Sequence, residues 1–146
     1  MGLDSVLAGL DSVLAALSGL ALSEEDLVSV DGCGWFWLLG LSAERGGHEA
    51  LARDLYGRTV TYCEQTIRNH SPDDPTALVP VRENILIGLT GLGRIDEARA
   101  LVADLERRSP NDIRRLIYQA MLAAKGGDLE ATRQVYVRLD TLQVED

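Results

Sequence analysis

Between Asn84 and Arg138 the chain repeats itself. Gly93-Arg94-Ile95-Asp96 returns as Gly127-Asp128-Leu129-Glu130, 34 residues on and without a gap. Each glycine turn is flanked by apolar runs of helical period. Ile85, Leu86, Leu89 and Leu92 precede the first, and Ala98, Leu101, Val102 and Leu105 follow it. Leu116, Ala120, Leu122 and Ala123 precede the second, and Val135, Tyr136 and Leu139 follow it. Ser109-Pro110-Asn111 separates the two units. One helical hairpin cannot bury its apolar face alone, so a helix–turn–helix recurring at such a period implies hairpins stacked side by side. These apolar sets are the predicted core.

Composition agrees with an all-α domain. The 146 residues are 46% hydrophobic and 25% charged, enough apolar material for one sizeable core. Aromatics are only 5%, so Leu, Val and Ala must fill most of it. The formal net charge of −9 repels phosphate backbones and argues against direct nucleic-acid binding. Basic residues number 14, of which Lys125 alone is lysine. Cys33 and Cys63 form no motif, and the plain expectation is a pair of free buried thiols in a cytoplasmic protein. A disulfide is the alternative, and it needs an oxidising compartment.

Residues 3–22 hold a near-duplicated heptad, LDSVLAG then LDSVLAA. Leu3, Leu10 and Leu17 share one heptad position, and Val6, Val13 and Leu20 another. They form one apolar stripe on a helix, with Asp4, Asp11 and Ser18 on a narrow polar side. The absence of any Lys or Arg before Arg45 argues against a signal peptide, and the two aspartates argue against a membrane span. The helix is expected to pack on the domain or to pair with a second copy. Leu3, Val6, Leu10, Val13 and Leu17 are the self-association candidates. Ser23-Glu24-Glu25-Asp26 reads as the capped start of a short helix that ends at Asp31-Gly32.

Further helices are expected over Trp35–Arg45, from His48 to Asn69, from about Thr76 or Pro80 to Gly91, over Asp96–Arg108, from Asn111 or Asp112 to Lys125, and from Leu129 to Leu142. Trp35, Phe36 and Trp37 are consecutive and span about 200° of a helix, so they cannot share one core. The expectation is that Trp35 and Leu38 or Leu39 turn inward while another ring meets a neighbouring segment or a partner. Gly57, in the middle of a predicted helix, suggests a close approach of another helix.

These features resemble the tetratricopeptide repeat. Gly93, Ala98 and Pro110 fall where that repeat wants its turn, a small residue and a helix-ending proline; Gly127, Ala120 and Thr132 do so in the next copy. Residues 35–75 look like a degenerate, longer copy with Gly47 at the turn and Ala52 near the small site. The resemblance implies antiparallel helix pairs in a right-handed superhelix. It divides the chain into an N-terminal packed region, residues 1–31, and a repeat domain, residues 32–146, with repeats at about 35–75, 76–112 and 113–146. It also implies a non-catalytic module that holds a protein or peptide partner on its first helices. Candidate partner-binding residues are Trp35, Phe36, Trp37, Arg82, Asn84, Arg114, Arg115 and Tyr118. The large aromatic expected in each first helix is replaced by Arg82 and Leu116, and of a two-carboxylate clamp only Asn84 is suitably placed.

The stretch from Val81 to Leu139 also resembles the bacterial transcriptional activation domain of pathway-specific regulators, with its Arg-rich first helix, glycine turn and closing helix. That resemblance implies a regulatory role through protein contacts, with DNA read by a separate winged-helix domain that these residues do not contain. A third reading is a small-ligand or enzymatic apolar pocket between the N-terminal helix and the repeats, lined by Trp35, Tyr62 and Cys63. No phosphate loop, dinucleotide fingerprint, zinc motif or nucleophile elbow is present, and no catalytic residue, cofactor or metal is expected. His48 and His70 stand at opposite ends of one predicted helix, more than about 30 Å apart, and cannot share a proton or a metal.

Overall fold

The computed structural model describes residues 28–30, 32–70, 78–109 and 112–143. The heptad stripe over residues 3–22 lies outside them. Six helices make up the described chain: α1 Trp35–Arg45, α2 Glu49–Asn69, α3 Val79–Gly91, α4 Ile95–Arg108, α5 Arg114–Lys125 and α6 Leu129–Gln143. No strand occurs among the described residues. Each helix packs on its successor, and α1 with α3 and α3 with α5 also touch.

The boundaries follow from local chemistry. Pro80 sits in the first turn of α3, where its missing N–H costs nothing. Asp128 caps α6, its carboxylate accepting from the Ala131 N–H at 3.0 Å. Asp112 accepts from the Arg114 N–H at 3.0 Å at the start of α5. Three hairpins turn in the same way, at Gly47, Gly93 and Gly127, with φ of 81°, 76° and 75°. After each glycine the next N–H reaches back to a carbonyl five residues earlier: His48 to Ala43 at 2.8 Å, Arg94 to Leu89 at 3.0 Å and Asp128 to Ala123 at 2.9 Å. That pattern is the Schellman ending, which needs a left-handed residue. Gly47 is thus a third copy of the turn that recurs at 34-residue spacing further on.

Gly57 behaves differently from the sequence expectation. No atom lies within 4 Å of where its Cβ would stand, so it admits no close helix. The same substitution should therefore act with opposite signs at two glycines. Gly127→Ala is expected to destabilise by about 1–2 kcal/mol, because alanine strains in the left-handed region. Gly57→Ala is expected to stabilise by up to about 1 kcal/mol through helix propensity. Urea-unfolding midpoints of the two variants check this.

Two clusters form the core. The larger joins Cys33, Val60, Cys63, Leu78, Val81, Ile85, Leu86, Leu89, Ala98, Val102, Leu105 and Leu122. The smaller joins Phe36, Ala43, Ala52, Leu55 and Tyr56 between α1 and α2. Tyr56 is wedged between two glycines. A Cβ on Gly40 would come within 2.9 Å of its ring and one on Gly91 within 2.5 Å.

Several inward assignments change. On α1 it is Phe36 that is buried, whereas Trp35 and Leu38 are 49% and 53% exposed. The core of this helix is set by Phe36, Gly40 and Ala43, a face that excludes the Trp35 side. On α6 Val135 is buried, but Tyr136, 100° round the helix, is 69% exposed. Cys33 and Cys63 are not free thiols. They are joined as a disulfide, both fully buried, with Cα atoms 5.0 Å apart. The bond ties the residues before α1 to α2, where the Thr66 hydroxyl also donates to the Val28 carbonyl.

Candidate binding groove

Helical spacing selects the residues that face one open groove. Trp37, Leu41 and Glu44 succeed each other at i, i+4 and i+7 on α1. Ile87, Thr90 and Gly91 come from α3, and Met121, Ala124 and Lys125 from α5. With Tyr56 of α2 they line a cleft of about 570 Å³. Ile87, Thr90 and Gly91 stand 34 residues before Met121, Ala124 and Lys125, so equivalent positions of the two repeats build adjacent parts of the same wall.

One polar cluster closes an end. Glu44 accepts from the Tyr56 hydroxyl at 2.7 Å and from the Lys125 ammonium at 2.8 Å, which ties α1 to the end of α5. The Lys125 hydrogen bond, and after it that of Tyr56, holds the Glu44 carboxyl below its usual range. Burial, and then the Glu44 carboxylate, pushes the Tyr56 hydroxyl well above the usual tyrosine value. For Glu44 the sign is that of a depressed acid: its contribution is complete above the unfolded value near 4.5 and is lost as pH falls through the lower folded value. Its side chain is 39% exposed, so solvent screening limits the contribution to about 1 kcal/mol or less. Glu44→Gln is expected to flatten the loss of thermal stability between about pH 5 and pH 3 relative to the wild type, as read by melting temperature against pH.

The residues singled out from sequence divide among several surroundings. Trp37 lines the groove. Arg114 and Tyr118 meet Glu83 of α3: Arg114 lies 3.2 Å from the Glu83 carboxylate and 2.7 Å from that of Asp112. Burial, then Glu83, pushes the Tyr118 hydroxyl up. Asn84 packs its amide against the backbone of Gly34, where a Cβ would come within 2.5 Å. Arg82 turns toward α4, 4.0 Å from Asp104, with its guanidinium largely covered. Phe36 is buried against Tyr62, ring centroids 5.6 Å apart. Arg115 is 6% exposed and its Nη1 has no hydrogen-bond partner among the described residues. It occupies the place of Val81 one repeat earlier, which is fully buried. Phe36 and Arg115 are therefore inside, away from any partner's reach. Cys63 is fully buried in its disulfide, and the N-terminal wall of the pocket expected at Trp35, Tyr62 and Cys63 lies outside the described residues.

Leu41, Glu44, Ile87, Met121 and Lys125 were missed. The 34-residue period pairs Ile87 with Met121 and is the signal that marks them; nothing local marks Glu44. On the last hairpin the apolar side chains of Ile113, Ile117, Leu129, Tyr136 and Val137 are each exposed. No group of three or more His, Cys, Asp or Glu able to hold a metal occurs among the described residues, and no described helix is long and apolar enough to cross a membrane. Comparison with protein-family models, with curated proteins and with solved structures returns no match to the chain.

Proposed function

We propose that the chain is a non-catalytic protein-binding module of the tetratricopeptide type, and that the groove between α1, α3 and α5 is its binding site. The observation that carries this is the composition of the groove wall. Among the alternate helices, α1 touches α3 and α3 touches α5. They present apolar side chains of equivalent register, Ile87 and Met121, beside Trp37. First helices of stacked hairpins line the concave side of such solenoids, where partners bind. Apolar clefts with a few fixed polar groups are the usual form of a binding site, and a partly buried tryptophan is the usual anchor. The occupant is a peptide or a protein helix with an apolar face. A setting that keeps Cys33 and Cys63 oxidised suits the module better than the cytoplasm.

The experiment is selection of peptides from a displayed library against the full chain, followed by titration. Trp37→Ala and Met121→Glu are each expected to weaken a selected peptide by roughly 30-fold, the equivalent of a hot-spot cost of about 2 kcal/mol. Leu129→Glu, on a residue 79% exposed and off the groove, is expected to leave affinity unchanged. Peptides that bind all four proteins alike would place the site elsewhere.

A further inference from the structure

Two interfaces join the three hairpins, and the same register builds both. Val81 and Ile85 of α3 are buried in one cluster with Val60 and Cys63 of α2, an apolar seal. At 34-residue spacing the equivalent positions of α5 hold Arg115 and Gln119. The Gln119 amide donates to the Glu106 carboxylate of α4 at 2.6 Å. Arg115, one turn before it, is buried and leaves Nη1 unpaired among the described residues. Polar groups where the preceding repeat packs apolar ones break a local rule of the fold, and such breaks gather at functional sites.

At this second interface a cleft of about 410 Å³ opens between α4, α5 and α6. That size lies within the range of small-molecule sites. The buried part of its lining is apolar: Val102 of α4, Leu122 and Ala123 of α5, and Val135 of α6. Gln119, Leu122 and Ala123 occupy one side of α5, whereas Met121, Ala124 and Lys125 of the groove occupy the other. The cleft is therefore separate from the groove, and its reading does not depend on the groove's.

The rim of the cleft is charged, and its carboxylates are engaged while its guanidiniums are not. Glu106 accepts from Gln119, and Asp128 accepts from the Ala131 N–H as the cap of α6. Arg99 of α4 has only Asp96, 3.7 Å away and fully exposed, a surface pair of little strength. Arg138 of α6 has no hydrogen bond or ion pair among the described residues. A guanidinium fork matches a carboxylate through two parallel N–H donors. Glu106 and Asp128, in the same lining, repel a doubly charged phosphate more than a singly charged carboxylate.

We propose that this cleft binds a small amphipathic carboxylate, its apolar body against Val102, Leu122 and Val135 and its charged head between Arg99 and Arg138.

The test titrates the full chain with octanoate, and with octylammonium as the charge control, by calorimetry and backbone amide NMR. Octanoate is expected to saturate one site, with shifts centred on Val102, Leu122 and Val135. Octylammonium, and octanoate on Arg99→Gln/Arg138→Gln, are each expected to bind at least about tenfold more weakly, the scale of one lost charge-assisted hydrogen bond. Arg68→Gln/Arg133→Gln removes two exposed arginines outside the cleft and is expected to leave octanoate affinity unchanged. All four arginines are exposed, so neither double variant disturbs the core. Equal binding of octylammonium overturns the anionic ligand. Equal weakening in the two double variants reduces the effect to general charge and overturns the site. Shifts centred on Trp37, Ile87 and Met121 overturn it as well, and give the probe to the groove. Absence of saturable binding overturns the proposal outright.

Discussion

Cys33→Ala/Cys63→Ala is expected to lower the free energy of unfolding by about 3–4 kcal/mol, the loop-closure entropy of a ring of roughly 30 residues. For a chain of this size that is a fall in melting temperature of about 10 °C. The ring encloses α1, its turn and most of α2, because the cysteines are 30 residues apart. Both sulfurs are fully buried, so the bond is screened from reductant in the folded state. Thiol titration in denaturant is expected to find no free thiol before reduction and two after it. Two free thiols in the unreduced protein, or a melting temperature unmoved by the double substitution, would contradict the disulfide and restore the free-thiol expectation.

Tyr56→Ala is expected to cost about 3–5 kcal/mol, the range for removing a large buried aromatic without collapse of the space it leaves. Its ring is 3% exposed and fills the gap that Gly40 and Gly91 leave between α1 and α3. Helices cannot easily close that gap, since their own backbones set the spacing. Tyr56→Phe is the control. It keeps the ring and removes only the 2.7 Å bond to Glu44, an expected cost of about 1 kcal/mol. Denaturant unfolding of the two variants separates packing from hydrogen bonding. Equal losses for both would mean that the hydroxyl, and not the ring, holds α1 to α2. Since Tyr56 also lines the groove, Tyr56→Ala is expected to weaken peptides bound there, while Tyr56→Phe preserves most of that affinity.

Much of the helical organisation was legible before any coordinates. The glycine turns at Gly93 and Gly127 announce themselves because only a residue without Cβ tolerates φ near +75°. The proline in the first turn of α3 and the acid that opens α6 mark helix starts for similarly local reasons. Buried positions on α4, Ala98, Val102 and Leu105, follow the helical period, since that helix buries one face; on α3, which touches four other helices, Ile85, Leu86 and Leu89 are marked by their plain apolar run. On α1 the period fails. Its apolar residues surround the helix, so no pattern tells which of Trp35, Phe36 and Trp37 enters the core. α6 fails for a related reason: it packs mainly on α5, and a helix with one neighbour leaves apolar residues such as Tyr136 outside.

The candidate site was legible only in part. Trp37 was visible as an aromatic on a first helix, and Ile87 and Met121 were hidden in plain apolar runs. Glu44 gave no sign, because its partner Lys125 lies 81 residues away. The sequence by itself determined the helices, their turns and the repeat register, since capping, left-handed glycines and apolar period act within a few residues. Only the tertiary structure decided that Cys33 meets Cys63, that Phe36 and Arg115 go inside, and that three helices separated in sequence share one groove wall. Those outcomes depend on which chain segments meet in space, a quantity that no local spacing encodes.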